Sequence, residues 1–588
     1  MVALEAVDAA SSFQNFLSIQ GAFQILATLN LTSYMYPKSI DVFDGQYFDR
    51  IVVGGGTAGC VVATRLAQMD RTKEVLLIEA GGDPPFETTL PPLMLYPLRS
   101  RNDWLYSTTK NDFSQLGNEG HISTIFQGKM LGGTNNFPYI LYSVGNQHDY
   151  DEWALKVKSK SWNWEGVFPY FKRSQRIEDK DIENSEDRYA FGLNGPVVIT
   201  KDMLPVTREF IPAFAELGIP TPIDSNGNRT IGYCPTLFTI GEGMRQTSAQ
   251  SYLARFRLDN LKVLKNATVT KVIVNNNKVA TGVRVQRRGI KDVTLNARYE
   301  IILSAGAINT PKILLHSGIG PKAHLSSKNI PVVVDLPVGR NLLDHVAVLV
   351  VYDLVNLRIN PIPTNPHIYA QPSFTGYVAL DRKAEVPDYE TSNFLDFPSN
   401  QMVYCVASYD YTFDICNNLF YKENTNQVLW TLVTSLHPES RGYVELRSNN
   451  FNDKPIVNPR YLSHPKDLEN QAKHVRDFIR VENTTYFRRN GARFVDPRLE
   501  ECQRFDFKSL DYLKCYIRYM MAPQWQFSGT CAMGPVVDPR MNVRGTRGLR
   551  IADASVIPVN ISGDIEGPII MLAEKLADII KEEYYGSF

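Results

Sequence analysis

A glycine-rich turn between two short apolar runs constrains the fold of this chain more than any other feature. The segment YFDRIVVGGGTAGCVVATRLAQMDRTKEVLLIEAGG, from Tyr47 to Gly82, is typical of a strand, a turn, a helix and a second strand. Its glycines let the backbone approach a pyrophosphate closely, and the helix offers free N–H groups at its positive end. The residues expected to hold a dinucleotide here are Gly54, Gly56, Thr57, Ala58, Gly59, Glu79 and Ala80.

Glu79 narrows the choice of dinucleotide. It ends the second apolar run, VLLI, where a carboxylate can accept a hydrogen bond from an adenosine ribose hydroxyl. A 2′-phosphate would meet that negative charge, so NADP is disfavoured. The motif alone does not separate FAD from NAD.

Composition limits the partners of the chain. Of its 588 residues, 44% are hydrophobic and 21% are charged, the balance of a globular protein large enough for two packed domains. Lys+Arg and Asp+Glu both total 62, so the basic excess that a nucleic-acid binder needs is missing. No apolar run is long enough to span a bilayer. We expect a small-molecule substrate, no nucleic acid and no membrane span.

The seven cysteines leave the redox compartment open. None forms a CxxC pair, so no metal site is expected. The spacings of Cys405 with Cys416 and of Cys502 with Cys515 suit local disulfides in a secreted protein, and buried free thiols are the equal alternative. The N-terminal stretch FLSIQGAFQILATLNLT, which no Lys or Arg precedes, is either a helix or the remains of a processed leader. Glycosylation sequons begin at Asn30, Asn228, Asn266, Asn483 and Asn560. The expectation is an extracellular protein, with a cytoplasmic location as the alternative.

Four further motifs, in a fixed order, carry a family resemblance. They are GKMLGGTNNFPYILYSVGNQHDYDEWA at 128–154, GAINTPKILLHSGIG at 306–320, LPVGRNLLDH at 336–345 and LRIADASVIP at 549–558. The first two resemble the two signatures of the glucose–methanol–choline (GMC) oxidoreductases. With the N-terminal fingerprint they extend the resemblance from about Tyr47 to the end of the chain, and the pattern is most similar to the insect branch.

The resemblance implies a fold class of mixed α/β and α+β type. A Rossmann-like FAD-binding domain would be assembled from residues 46–155, 230–345 and 522–588. A substrate-binding domain, built on an antiparallel sheet with covering helices, would occupy residues 156–229 and 346–521. Residues 1–45 would form an N-terminal extension. Aromatic candidates for the substrate-pocket wall are Tyr369, Phe374, Tyr409 and Tyr411.

FAD is the cofactor that the resemblance implies, and non-covalent attachment is expected because neither His121 nor His148 matches a flavin-linking position. The small residues of the first signature let a backbone lie against the cofactor. Asp553 would accept from hydroxyls of the cofactor. The remaining positions carried over by the resemblance are Leu131, Gly132, Gly133, Thr134, Asn135, Val269, Ala305, Gly306, Asp553 and Ala554.

The chain differs from the family at positions whose side chains usually take part in substrate oxidation. Gln526, in MAPQWQFSGTCAMG, stands where the family usually has a histidine, and Glu566, in SGDIEGP, stands at the second His or Asn position. No histidine follows His474, so no local imidazole replaces the missing one. Pro138 and Val144 stand where the family commonly has Asn and Arg, which would alter flavin tuning.

These departures favour a non-redox lyase. Gln526 has no useful pKa, whereas a buried Glu566 can act as a base. The favoured hypothesis is an FAD-dependent hydroxynitrile lyase that cleaves a cyanohydrin to a carbonyl compound and hydrogen cyanide, with Glu566 as the base and Gln526 and Tyr142 orienting the hydroxyl. The alternative is an FAD-dependent alcohol or ecdysteroid oxidase that produces hydrogen peroxide. A second alternative is a flavin-binding protein without catalysis.

Overall fold

The computed structural model describes residues 35–93, 97–137, 140–202, 204–226, 230–358, 371–420 and 427–586. The N-terminal stretch before Met35, the departure at Pro138, the pocket candidate Tyr369 and the sequons at Asn30 and Asn228 lie outside these ranges. Within them, no helix is both long and apolar enough to cross a bilayer.

The strands, in chain order, are β1 Tyr47–Val53, β2 Val75–Ile78, β3 Tyr106–Ser107, β4 Thr124–Ile125, β5 Gln175–Ile177, β6 Val197–Lys201, β7 Gly232–Pro235, β8 Leu237–Phe238, β9 Ile240–Gly241, β10 Met244–Arg245, β11 Leu261–Leu264, β12 Thr268–Val274, β13 Ala280–Arg287, β14 Ile290–Leu303, β15 Arg340–Leu342, β16 Val346–Leu354, β17 Ser373–Val378, β18 Tyr389–Asp396, β19 Val428–Ser435, β20 Gly442–Glu445, β21 Ile456–Asn458, β22 Ala492–Phe494, β23 Met521–Pro523 and β24 Leu549–Ile551. The α-helices are α1 Thr57–Met69, α2 Gln147–Val157, α3 Trp164–Ser174, α4 Lys180–Glu183, α5 Pro205–Phe210, α6 Pro212–Ala215, α7 Gly306–His316, α8 Lys322–Ser327, α9 Pro398–Ala407, α10 Phe413–Phe420, α11 Pro465–Phe478, α12 Thr485–Arg489, α13 Leu510–Met520 and α14 Glu566–Tyr585.

The first sheet is the dinucleotide-type sheet that the N-terminal motif predicts. Its order is β11-β2-β1-β14-β13-β12, with β24 paired to β14. The pairs among β11, β2, β1, β14 and β24 are parallel, and β12, β13 and β14 pair in antiparallel fashion. The run IVV of β1 and all of β2 are buried, as expected for parallel strands covered on both faces. Helices α1 and α14 pack together over this sheet.

The second sheet is antiparallel and forms the other half of the molecule. Its order is β22-β16-β19-β18-β17-β7, with β23 paired to β16. Every residue of β16, β17 and β19 is buried, with α11 packed against β19 and α13 against β16. These two sheets and their helices confirm the predicted fold class.

The domain limits stay a proposal, and the strand pairing adjusts two of them. Strand β7 lies within the segment 230–345 that the sequence analysis gives to the FAD-binding domain, yet it pairs with β17 of the second sheet. Strand β23, which spans the expected boundary at residue 522, also pairs with that sheet. We propose that the substrate-binding segments extend through Pro235 and Pro523, because ladder hydrogen bonds tie these strands to the antiparallel sheet.

The cysteines divide into pairs and buried thiols. Cys405 is bonded to Cys416, joining α9 to α10, and Cys502 is bonded to Cys515 of α13. Cys60, Cys234 and Cys531 are free and buried. Of the two alternatives left open by the sequence, the spacing argument for local disulfides therefore agrees with the structure.

Candidate active site

The turn after β1 is packed so tightly that only glycine fits at two of its positions. A Cβ on Gly54, which has a φ of 99°, would lie 2.5 Å from the carbonyl oxygen of Ser304. A Cβ on Gly59 would lie 1.8 Å from the carbonyl oxygen of Gly54. Among the residues that the structure describes, no side chain caps the N-terminus of α1, so its first N–H groups stay open toward the cavity. Gly54 and Gly56 line the cavity. Gly59 does not line it and packs against the backbone of Gly54.

Glu79 lies at the tip of β2 and faces the same cavity. Its carboxylate accepts hydrogen bonds from the backbone N–H groups of Gly55 and Gly81, both at 2.8 Å. Burial raises the pKa of Glu79 to about 7, and these two N–H groups act in the opposite direction. Each oxygen keeps a further lone pair for a hydroxyl donor, which is the role expected from the sequence.

The backbone turn at Gly132 and Gly133, in the first family signature, packs against the turn that follows β1. A Cβ on Gly133, which has a φ of 56°, would lie 2.8 Å from the Cα of Gly56. The N–H of Gly132 donates to the carbonyl of Gly55 at 2.7 Å, and Leu131 is fully buried behind that turn. Leu131 and Gly132 thus shape the wall without lining the cavity, whereas Gly133 lines it.

Asp553 joins two segments that are far apart in the sequence. Its Oδ2 accepts from the backbone N–H of Gly306 at 2.9 Å and from the hydroxyl of Thr310 at 2.5 Å. Its Oδ1 accepts from the N–H of Ser555 at 2.8 Å, and burial raises the pKa of the carboxyl. Asp553 and Gly306 both line the cavity, so the second signature and the C-terminal motif converge there.

One cavity collects the cofactor residues that the sequence predicts, with Gly59, Leu131 and Gly132 behind its wall. It encloses about 1730 Å³, including the space at its open mouth. The predicted residues lining it are Gly54, Gly56, Thr57, Ala58, Glu79, Ala80, Gly133, Thr134, Asn135, Val269, Ala305, Gly306, Asp553 and Ala554.

The cavity fits a flavin adenine dinucleotide. Two buried polar atoms of lining residues, Gln127 Oε1 and Ser304 Oγ, have no hydrogen-bond partner within the described residues. The open helix N-terminus of α1 suits a pyrophosphate, and Glu79 suits a ribose. Neither His121 nor His148 lines the cavity, and non-covalent attachment stays a prediction. The described residues contain no cluster of His, Cys, Asp and Glu that could hold a metal.

Glu566 occupies the other half of the cavity. It is the first residue of α14, is half-buried, and lines the cavity together with Gln526 and Asp564. Its Oε1 is buried and has no hydrogen-bond partner in the described part of the chain. Burial and the negative charge of Asp564 together raise the pKa of Glu566 to about 8, against the opposing effects of a hydrogen bond with Asn135 and the charge of Arg245. A carboxyl with this pKa can take up and release a proton near neutral pH.

Asp564 is a functional candidate that the sequence analysis did not single out. Its Oδ1 accepts from the backbone N–H of Glu566 at 2.8 Å, and its Oδ2 lies 3.5 Å from Nε2 of Gln526. Burial raises the pKa of Asp564 to about 6. The feature of the sequence that could have indicated Asp564 is its position two residues before Glu566 in SGDIEGP. Nothing in that spacing says that both carboxyls reach the same cavity.

The structure also places an imidazole from a distant segment beside Gln526, where the sequence offers no local one. His345 Nδ1 lies 2.7 Å from Gln526 Oε1. Antiparallel bridges between Leu343 and Ser528, and between Val346 and Pro523, bring the two segments side by side. His345 is the last residue of the motif LPVGRNLLDH, and the motif by itself indicates no role for it. No local pattern predicts this contact, because it joins residues 181 positions apart.

Tyr142 does not take the place proposed for it. Its side chain is 5% exposed and lies outside the cavity lining, and its hydroxyl accepts a hydrogen bond from Gln175 Nε2 at 2.9 Å. Burial raises the pKa of this phenol. Tyr142 is therefore a packed residue behind Glu566, and its role as a group that orients substrate is withdrawn.

The aromatic pocket candidates within the described ranges belong to the core. Phe374 stacks on Phe210, Tyr409 stacks on Trp525, and the hydroxyl of Tyr411 donates to the carbonyl of Met520. None of the three lines the cavity. Val144 is also buried outside the lining. The apolar wall near Glu566 instead consists of Phe137, Leu141, Phe394, Leu432, Trp525, Ile565 and Ile569.

Comparisons with known proteins agree with this geometry. A family model described as GMC oxidoreductase matches residues 48–347, and a second with the same description matches residues 438–573. The chain is 33% identical to ecdysone oxidase from Spodoptera littoralis, with 96% of this chain and 97% of that protein aligned. It is 32% identical to the FAD- and quinone-dependent glucose dehydrogenase of Drosophila melanogaster, over 91% of this chain and 87% of that protein.

Solved structures give the same result for the fold. A variant of Aspergillus oryzae formate oxidase superposes with a TM-score of 0.78 at 26% sequence identity. The match covers 92% of this chain and 99% of that one. The two sheets and the cavity between them are thus an arrangement with known counterparts.

Proposed function

The chain belongs to the GMC oxidoreductase family, whose members bind FAD, and from this premise we propose that it is an FAD-dependent oxidase of a largely apolar alcohol. One observation carries the proposal. Glu566 presents a carboxyl oxygen without a partner in the substrate half of the cavity, where alcohol oxidation needs a base.

Bound FAD would accept the hydride of the alcohol carbon and pass the electrons to oxygen. The protein has to manage the hydroxyl proton, because hydride loss alone would leave a protonated carbonyl. Glu566 takes that proton as the C=O bond forms. The pKa of Glu566, near 8, makes its carboxylate a stronger base than an ordinary glutamate. The amide of Gln526 cannot take up a proton at neutral pH and serves as a hydrogen-bonding group.

The wall of the cavity supports an apolar substrate. Phe137, Leu141, Phe394, Leu432 and Trp525 line the same cavity as the two carboxyls. A sugar would leave most of its hydroxyl groups without partners against such a wall, and each unpaired polar group costs free energy. Because the relatives include proteins named ecdysone oxidase, ecdysone is the first substrate to test, ahead of glucose.

The lyase hypothesis loses its priority. It rests on the loss of the family histidine at Gln526, and His345, from a distant segment, lies beside that residue. The relatives described above carry the names of oxidases and dehydrogenases, and none of those names is that of a hydroxynitrile lyase. Cyanohydrin cleavage and binding without catalysis therefore become outcomes of the test.

The test uses the purified protein loaded with FAD. Ecdysone, benzyl alcohol and glucose are added without oxygen, and the flavin absorbance near its visible maximum is followed. Bleaching with the apolar alcohols, followed by hydrogen peroxide release when oxygen is admitted, is the expected result. A flavin that stays oxidised with all alcohols, together with cyanide release from mandelonitrile above the spontaneous rate, would establish the lyase instead.

We also propose that the protein is secreted, with a cytoplasmic location as the alternative. Two disulfides support this proposal, since such bonds form and persist in oxidising compartments. The sequon at Asn483 is exposed, whereas Asn560 is buried and donates to the carbonyl of Pro438. Asn483 is therefore a suitable acceptor for a glycan that secretory cells would add.

A further inference from the structure

Three neighbours determine where the side chain of Gln526 points. Its backbone N–H donates to Asp344 Oδ1 at 2.9 Å, and Asp344 Oδ2 in turn accepts from the hydroxyl of Tyr461 at 2.6 Å. Its Oε1 lies 2.7 Å from His345 Nδ1, and its Nε2 lies 3.5 Å from Asp564 Oδ2. The side chain spans from a buried imidazole to the cavity.

The chemistry of the amide fixes the tautomer of His345. An amide oxygen can only accept, so a contact of 2.7 Å requires Nδ1 to carry a hydrogen. Burial lowers the pKa of His345 to about 4, so the ring is neutral at pH 7 and has a single N–H. Nε2 is buried, and a backbone contact with Ile561 acts on the pKa of the ring in the direction opposite to burial.

The orientation of the amide is set independently by Asp564, whose carboxylate accepts a hydrogen bond and therefore faces the NH₂ group of Gln526. With Oε1 held by the imidazole N–H, the NH₂ group of Gln526 faces Asp564 and the cavity. One amide hydrogen is directed at the carboxylate, which leaves the second for a ligand. Glu566 lies in the same part of the cavity and offers an acceptor oxygen. The two side chains thus present one donor and one acceptor.

We propose that His345 is a positioning residue that holds the Gln526 amide with its N–H toward the substrate, so that Gln526 donates a hydrogen bond to the alcohol oxygen while Glu566 removes the proton. The inference rests on the proposed function. The O–H bond breaks and its proton goes to Glu566, the C–H bond breaks with its electron pair leaving in the hydride that bound FAD would accept, and the C=O bond forms. The negative charge that develops on oxygen meets the N–H of Gln526.

His345 and Gln526 themselves gain and lose no proton in this step. The imidazole does not line the cavity, so it acts on the substrate only through the amide. The opposite amide orientation would put Oε1 against Asp564 Oδ2 and would require a proton on Asp564. The pKa of Asp564, near 6, keeps that carboxyl charged at neutral pH and favours the orientation with the N–H outward.

Four variants test the inference with ecdysone or benzyl alcohol as the probe. His345→Leu removes the ring N–H and is expected to lower kcat by ~10-fold or more, with little change in KM. His345→Asn keeps an N–H near the position of Nδ1 and is expected to restore most of that rate. Gln526→Met removes the donor, and a loss of ~10²-fold in kcat is expected. Adding His345→Leu to Gln526→Met should cause no further loss, because one acts through the other.

Two readouts separate this role from simple packing. The pH at which kcat/KM falls to half should be the same in His345→Leu and in the parent protein, because Glu566 remains the base. In ¹⁵N-histidine-labelled protein, His345 should show the tautomer with hydrogen on Nδ1. Additive losses in the double variant, or hydrogen on Nε2, would overturn the inference. If no alcohol is oxidised, the proposed function fails, and the tautomer measurement still decides whether His345 holds the amide.

Discussion

His345 Nδ1 and Gln526 Oε1 lie 2.7 Å apart although 181 positions separate them in the chain. The contact places a neutral imidazole directly behind the residue that replaces the usual histidine of the family. It therefore changes the role that can be assigned to Gln526. Gln526 is a hydrogen-bonding group held from behind, and the titratable groups of the cavity near it are Asp564 and Glu566.

Removing the carboxyl of Glu566 should stop turnover while leaving the cofactor in place. Glu566→Gln has nearly the same shape, so kcat should fall by about 10²–10⁴-fold, the contribution typical of a general base. The flavin content per protein should not change. Glu385→Gln, an exchange of an exposed glutamate, is the matched control. Full activity in Glu566→Gln would assign the base to another group.

The pH dependence should report the neighbouring carboxyl. Glu566 acts in its charged form, so kcat/KM should rise with pH and reach half its maximum near the pKa of about 8. Asp564→Asn removes a negative charge that raises this pKa, so the half-maximum should move to lower pH. The measurement is kcat/KM across pH 5–10 for both proteins. An unchanged or higher midpoint in Asp564→Asn would contradict the coupling.

Gly133→Ala should weaken FAD binding. The added Cβ would lie 2.8 Å from the Cα of Gly56, so the two backbone turns that face the cavity would have to separate. Gly120→Ala is a matched control, because Gly120 also has a positive φ, of 65°, but has open space around its Cβ position. Flavin-to-protein absorbance ratios after gel filtration give the result. Equal ratios in the two variants would show that the close approach is unimportant.

The two disulfides should be visible by thiol counting. Alkylation of the denatured protein without reductant should label Cys60, Cys234 and Cys531, and reduction should expose the other four cysteines. Replacing Cys405 and Cys416 together by alanine should cost about 2–4 kcal/mol of stability, because the unfolded chain is no longer constrained. Cys234→Ala, which removes a free thiol, serves as the control in thermal unfolding. Labelling of all seven cysteines before reduction would exclude both bonds.

Expression through a eukaryotic secretory pathway should add a glycan at Asn483. Asn483 is exposed, whereas the buried side chain of Asn560 donates to Pro438 and has no room for a sugar. Treatment with peptide-N-glycosidase should convert Asn483 to aspartate, which peptide mass spectrometry detects. Asn483→Gln should remove that modification. A glycan on Asn560 would show that its buried position is wrong.

The sequence by itself determined the cofactor half of this protein. The glycine turn, Glu79 and Asp553 act through backbone geometry and local spacing, and these properties can be recognised in a linear motif. Strand Tyr47–Val53, helix Thr57–Met69 and the cavity lining therefore lie where the motifs predict them. The family resemblance also identified Gln526 and Glu566 as the unusual positions.

Only the tertiary structure decided what those two positions can do. The pairing of Val346–Leu354 with Met521–Pro523 brings His345 to Gln526, and no local pattern encodes that register. The pKa of Glu566 depends on burial and on Asp564, which are properties of the assembled cavity. Tyr142 looked equally suitable in the sequence, but packing turned its hydroxyl to Gln175. Motifs specify backbone turns, whereas long-range contacts set the environment in which a side chain gains or loses a proton.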